Sequence, residues 1–119
     1  MERVTGIGGV FLRARDPERL RAWYAEHLGV QLDDFGGAVF VAAAGDSTVW
    51  HLTPAEEEYF GPPEQRAMVN YRVRDLDAML VQLRTAGVEV DENVGELEYG
   101  RFGWAVDPEG NRFELWEPS

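Results

Sequence analysis

The sequence predicts an α+β fold: two tandem βαβββ modules forming a curved, eight-stranded mixed sheet around a cleft. Three observations carry that expectation. First, the chain repeats itself. "RARDPERLRAWYAEHLGV" from Arg13 answers to "RVRDLDAMLVQLRTAGV" from Arg72, with Arg13, Arg15 and Asp16 matching Arg72, Arg74 and Asp75, and Gly29-Val30 matching Gly87-Val88 one residue out of step. Second, each copy holds one helical hydrophobic pattern, and glycine and proline divide the remainder into short β-rich runs. Third, 119 residues is the size of one domain, long enough for a core without cross-links.

Each element has a local reason. A strand over residues 4–14 leads into the first helix. Asp16 caps that helix and Pro17 suits its first position. Leu20, Trp23, Tyr24 and Leu28 make its apolar face, and Gly29 suits a left-handed cap. These aromatics read as core. The runs "VQLDDF", "AVFVAA" and "TVWHL" follow as strands, separated by Gly36-Gly37 and "AGDS". "TPAEEEYFGPPEQR" is an inter-module linker with room for one helical turn at 55–59. "AMVNYRV" leads into the second helix, where Asp75 caps, Leu76, Met79, Leu80 and Leu83 form the face, and Gly87 ends it. "VEVDENV", "YGRFGWAV" and "RFELWE" complete the second set of strands, and "DENVGELEYG" reads as a polar, glycine-broken, mobile stretch. The result is a single domain over 1–119, with module one at about 4–53, a linker at 54–66 and module two at about 67–117.

Alternation sorts the strand residues into two faces. Val10, Leu12 and Ala14, then Val69, Tyr71 and Val73, then Phe113 and Leu115, point toward the helices. The other face carries Gly9, Phe11 and Arg13, then Met68, Asn70 and Arg72, then Arg112, Glu114 and Trp116. That mixture of aromatic and sparse polar groups is what a ligand cleft requires.

Composition excludes several classes. There is no cysteine, so disulfides and thiolate metal sites are excluded. The formal charge is −11 and every basic side chain besides the histidines is arginine, a balance that repels phosphate backbones and argues against nucleic acid. No stretch has the pattern of a secretory signal or a membrane span, so a soluble cytoplasmic protein is the default expectation. The run Glu56, Glu57, Glu58 reads as a solvated face. "GIGG" lies in a strand and opens no helix, so it is no dinucleotide fingerprint, and no Ser-His-Asp order stands out.

The duplicated βαβββ pattern, with "DPERLRAWYAEHLGV", "YRVRDLDAMLVQLRTAGVEV" and the closing "GWAVDPEGNRFELWEP", resembles the vicinal oxygen chelate superfamily of glyoxalase, bleomycin-resistance and dioxygenase-like proteins. The resemblance runs from about residue 4 to 118, with Asp107, Pro108, Gly110 and Asn111 making the closing turn. It implies the fold but not one activity, since the superfamily holds lyases, isomerases, dioxygenases and binding proteins. Its metal enzymes place up to four ligands on the cleft faces. Carried over, those positions fall on Gly9, on His51 with one residue of uncertainty toward Trp50, on Met68, and on Glu114. Glycine has no donor and a thioether is a poor ligand for a hard divalent ion, leaving only His51 and Glu114.

Glu114 has three readings: metal ligand, general base with a raised pKa, or partner of Arg72, Arg112 or Arg13. Pairing or hydration is favoured, because an unpaired buried carboxylate is costly. His51 reads as structural, and His27 as a favourable charge in the last turn of the first helix. Phe11, Trp50, Trp104 and Trp116 would stack on a planar or apolar ligand, alongside Arg13, His51, Met68, Asn70 and Arg72; Phe102 and Tyr99 add aromatic area. The leading expectation is a small-molecule-binding protein with no cofactor, serving sequestration, resistance or sensing. The alternative is a glyoxalase-like lyase or isomerase, or a ring-cleaving dioxygenase, using a depleted divalent metal site or Glu114 alone. A third class is a partner-binding module whose cleft closes on dimerisation. A homodimer is expected because curved sheets with open edges need cover.

Overall fold

A computed structural model describes Glu2, Arg3, Ile7 and residues 10–119. Helix α1 spans Pro17–Leu28. The Asp16 carboxylate accepts from the Arg19 amide at 3.1 Å, and Pro17 occupies the first turn, where an amide hydrogen has no helical partner. At the other end Gly29 takes φ 69° and returns its N–H to the Tyr24 carbonyl. Helix α2 spans Leu76–Thr85, with Asp75 accepting from the Ala78 amide at 3.0 Å. A 3₁₀ turn at Glu58–Phe60 lies between the helices.

Five strands follow the linker: β1 Asn70–Arg72, β2 Glu89–Val90, β3 Gly95–Leu97, β4 Gly100–Val106 and β5 Arg112–Pro118. The order is β1-β5-β4-β2, with β3 also on β4. β1 lies parallel to β5, and the other pairings are antiparallel, so the sheet is mixed.

One sheet face is the core. Phe113, Leu115 and Ala105 lie against Leu76, Leu80 and Leu83 of α2, with Tyr71, Val73 and Met79 at the margin. Phe113 is 1 % exposed. Gly103 sets how closely the helix approaches. A Cβ there would stand 3.0 Å from Leu80 Cδ2 and 3.4 Å from Leu76 Cδ1, so a side chain at this point of β4 would press the leucines of α2 aside by a few tenths of an ångström.

The turn between β4 and β5 fastens α1 to this core. Asp107, 4 % exposed, accepts from the Tyr24 hydroxyl at 2.8 Å, the Glu109 amide at 2.9 Å, and the Asn111 amide and side chain at 3.0 and 2.8 Å. The Glu109 carboxylate accepts from the Arg15 and Asp16 amides at 2.7 and 3.0 Å, and those bonds hold its pKa below the usual carboxylate range. Burial, then the neighbouring Tyr71 and Asp107, push the Tyr24 phenol far above its ordinary value; burial likewise raises Tyr71.

The strand count differs from expectation. Among the described residues all five strands lie after residue 69, and residues 10–14, "VQLDDF", "AVFVAA" and "TVWHL" carry none. Part of the expected first strand, including Gly9, lies outside the described residues. Hydrophobic members of these runs, among them Phe40, Val41, Val49 and Leu52, are exposed. Alternation reports a face, whereas a strand needs a paired neighbour for its backbone. The linker's helical turn falls at Glu58–Phe60, not at 55–59, and "DENVGELEYG" holds β3, whose ladder to β4 orders it.

Candidate ligand-binding face

The other face of the β1-β5-β4 ladder collects the chemistry. The register sets Asn70 beside Glu114 and Arg72 beside Trp116, then Glu114 beside Trp104, Trp116 beside Phe102, and Arg112 beside Val106. Alternation turns all of these side chains away from α2. Phe113 and Leu115 stand between them on the core side, as the strand pattern requires.

Glu114 lies at the centre, half-buried. The Asn70 side-chain amide donates to its Oε1 at 2.8 Å, and the Trp104 indole N–H donates to its Oε2 at 2.9 Å. Of the two favoured readings, pairing and hydration, an arginine pair is not seen: among the described residues no cation lies within ion-pair reach of Glu114. Each arginine on this face has another carboxylate. Arg72 faces Asp46 at 3.6 Å and donates to the Ser47 carbonyl. Arg112 pairs with Asp91 at 2.9 Å and donates to the Tyr59 carbonyl. The Asn93 amide, then Arg112, hold Asp91 below the usual carboxylate range. Local register explains the outcome: Asn70 and Trp104 are the direct cross-strand neighbours of Glu114, and they reach it first.

The walls are aromatic. Trp116 stacks on Phe102 with centroids 6.1 Å apart and planes at 3°. Arg72 lies 5.8 Å from the Trp116 ring and Arg112 lies 5.6 Å from that of Trp104. Tyr59 meets Trp104 edge-on at 6.4 Å. Trp116 is more enclosed than the expectation of a stacking platform implied: it is 8 % exposed, and its indole donates to the Tyr99 carbonyl at 3.1 Å. Two open cavities lie nearby, of about 430 and 280 Å³. The larger touches this face at Val106 and Arg112; neither is centred on Glu114.

The structure thus gathers Asn70, Arg72, Trp104, Glu114 and Trp116 from the expected set. Met68 is half-buried just before β1, and Arg13 is exposed. Phe11 is 95 % exposed and Trp50 72 %; the exposed His51 ring meets the Thr53 hydroxyl at 3.1 Å. Among the described residues no hydrogen bond or ion pair joins these three to Glu114. Phe102 and Tyr59 belong to the face but not to the expected ligand-binding set, whereas Arg112 was expected on this face as one possible partner of Glu114. Alternation within "YGRFGWAV" could have supplied Phe102; Tyr59 sits in the short 3₁₀ turn of the linker, which has no periodic signal.

Among the described residues no three His, Asp or Glu side chains group together. Gly9 lies outside those residues, Met68 offers a thioether, and each Glu114 oxygen already faces an N–H.

A family model described as "Glyoxalase/Bleomycin resistance protein/Dioxygenase superfamily" matches residues 6–115. The chain is similar to TnmS3, described as an antibiotic binding protein, from Streptomyces sp. CB03234: 28 % identity, TM-score 0.56, covering 87 % of this chain and 88 % of that one. A member of the same superfamily from Sphaerobacter thermophilus DSM 20745 is 25 % identical over 87 % of this chain and 90 % of that one, with a TM-score of 0.50. A domain from Frankia sp. EAN1pec, with 20 % identity and a TM-score of 0.61, covers 98 % of this chain and 100 % of that one, a likeness of fold. No curated protein matches.

Proposed function

From the premise that the chain belongs to the Glyoxalase/Bleomycin resistance protein/Dioxygenase superfamily, we propose that it binds an apolar or aromatic small molecule on the Glu114 face, without a resident metal. The carrying observation is the sheet face itself: Phe102, Trp104 and Trp116 around one oriented carboxylate. Apolar walls supply affinity, and a few fixed polar groups supply orientation. Similarity to TnmS3, an antibiotic binding protein, supports the same class of activity. Sequestration, resistance or sensing each fits such a site. No helix among the described residues is long and apolar enough to cross a membrane.

The working form we propose is a homodimer. Phe40, Val41, Trp50 and Leu52 are exposed, and apolar surface of this kind favours cover by a partner. A second copy over these runs would enclose the Glu114 face and give a neighbour to segments that form no strand among the described residues.

Native mass spectrometry on protein purified without chelators tests the proposal. The expected spectrum shows twice the chain mass, a co-purifying organic molecule and no stoichiometric metal. One tightly held divalent ion per chain, lost on Glu114→Ala, would establish the metal-dependent alternative instead.

A further inference from the structure

A carboxylate offers about four lone-pair positions across its two oxygens. Glu114 spends one on Asn70 and one on Trp104. Both donors are neutral, so they fix the group's orientation without cancelling its charge. The neighbouring cations are already engaged, Arg72 with Asp46 and Arg112 with Asp91. The face therefore presents a half-buried, oriented anion set among aromatic rings.

We propose that Glu114 is the acceptor for a positively charged N–H group carried on a planar aromatic ligand, with Asn70 and Trp104 as positioning residues. This rests on the small-molecule reading above. A charged N–H matches the site on two counts. Its bond to a carboxylate is roughly twice as strong as a neutral one, and aromatic faces attract cations. An anionic ligand meets the opposite balance, because it would have to displace Asp46 or Asp91 to reach an arginine.

Two planar probes separate the possibilities: proflavine, a cation bearing N–H donors, and anthraquinone-2-sulfonate, an anion with acceptors only. Each is titrated by tryptophan quenching, at physiological salt, into wild type, Glu114→Gln, Asn70→Ala and the charge control Glu57→Gln, an exposed acid. Circular dichroism checks folding. Glu114→Gln is expected to weaken proflavine about tenfold, leaving anthraquinone-2-sulfonate unchanged or tighter. Glu57→Gln should match wild type. Asn70→Ala should weaken proflavine about threefold through lost positioning, and it carries the test should Glu114→Gln fail to fold. Proflavine binding that ignores both Glu114→Gln and Asn70→Ala overturns the assignment. Saturable binding of the sulfonate but not proflavine also overturns it, while the small-molecule reading stands. Saturable binding of neither probe removes both.

Discussion

Replacing Asp107 by alanine probes the joint between α1 and the sheet. The side chain is 4 % exposed and accepts four hydrogen bonds, one of them from Tyr24 on the first helix. Removing it leaves the buried Tyr24 hydroxyl without its acceptor, at about 1–3 kcal/mol. The Glu109 and Asn111 amides in the turn can rehydrate, so their loss adds roughly 1 kcal/mol each. The total expected for Asp107→Ala is about 3–5 kcal/mol, a large share of the ~5–15 kcal/mol that holds a domain folded. With a urea slope of roughly 1.5 kcal/mol/M, the midpoint should fall by roughly 2–3 M. Asp107→Asn keeps one oxygen for the turn amides and should cost about half as much. Tyr24→Phe should cost about 1 kcal/mol, and a double-mutant cycle should show the two sites coupled. A midpoint for Asp107→Ala within about 0.3 M of wild type would refute the reasoning, since that is less than one ordinary hydrogen bond.

Two further outcomes follow from the same core. Phe113→Ala should cost about 3–5 kcal/mol in denaturant unfolding, as large cavities do, whereas Glu114→Gln, one position along on the other face, should cost under about 1.5 kcal/mol; a reversed ranking would mean that the strand faces are inverted. Stability should also decline in alkali. The Tyr24 and Tyr71 phenols have raised pKa values when folded, so the unfolded chain loses protons first as pH climbs past the ordinary value of about 10. Their contribution is complete below that value and disappears above it. Melting temperatures measured from roughly pH 8 to 11 should drop at the top of the range, less so in Tyr24→Phe, and a flat wild-type profile would count against the burial described.

Both helices and their caps were legible in the sequence because capping chemistry is local: Asp16, Pro17, Gly29 and Asp75 act on amides and carbonyls within a few residues. The two faces of β5 were legible because strand periodicity needs no partner. Partner identity was less so. Glu114 lies beside Asn70 and Trp104 only because β5 is flanked by β1 and β4 in one register, and nothing local to "RFELWE" states that register. For the same reason the arginines looked available to Glu114, although Asp46 and Asp91 engage them. The first-half runs show the converse: an alternating pattern is present, but among the described residues those runs form no strand. "DPEGN" was readable as a turn, but its hold on Tyr24 joins residues far apart in the chain.

That hold bears on how the binding face can diversify. Because the closing turn grips α1 directly, the segment between Leu28 and Asn70 is not what keeps helix and sheet together. Doubling the length of a flexible connection costs only about 0.6 kcal/mol, well below the several kcal/mol expected for the Asp107 joint. Changes of length in the exposed runs of that segment alter the surroundings of the aromatic wall while the frame beneath it persists, so long as Gln65, which bonds the Arg112 backbone, and Val69, whose carbonyl accepts from the Glu114 amide, are kept. New ligand preferences can thus arise in one part of the chain without renegotiating the rest.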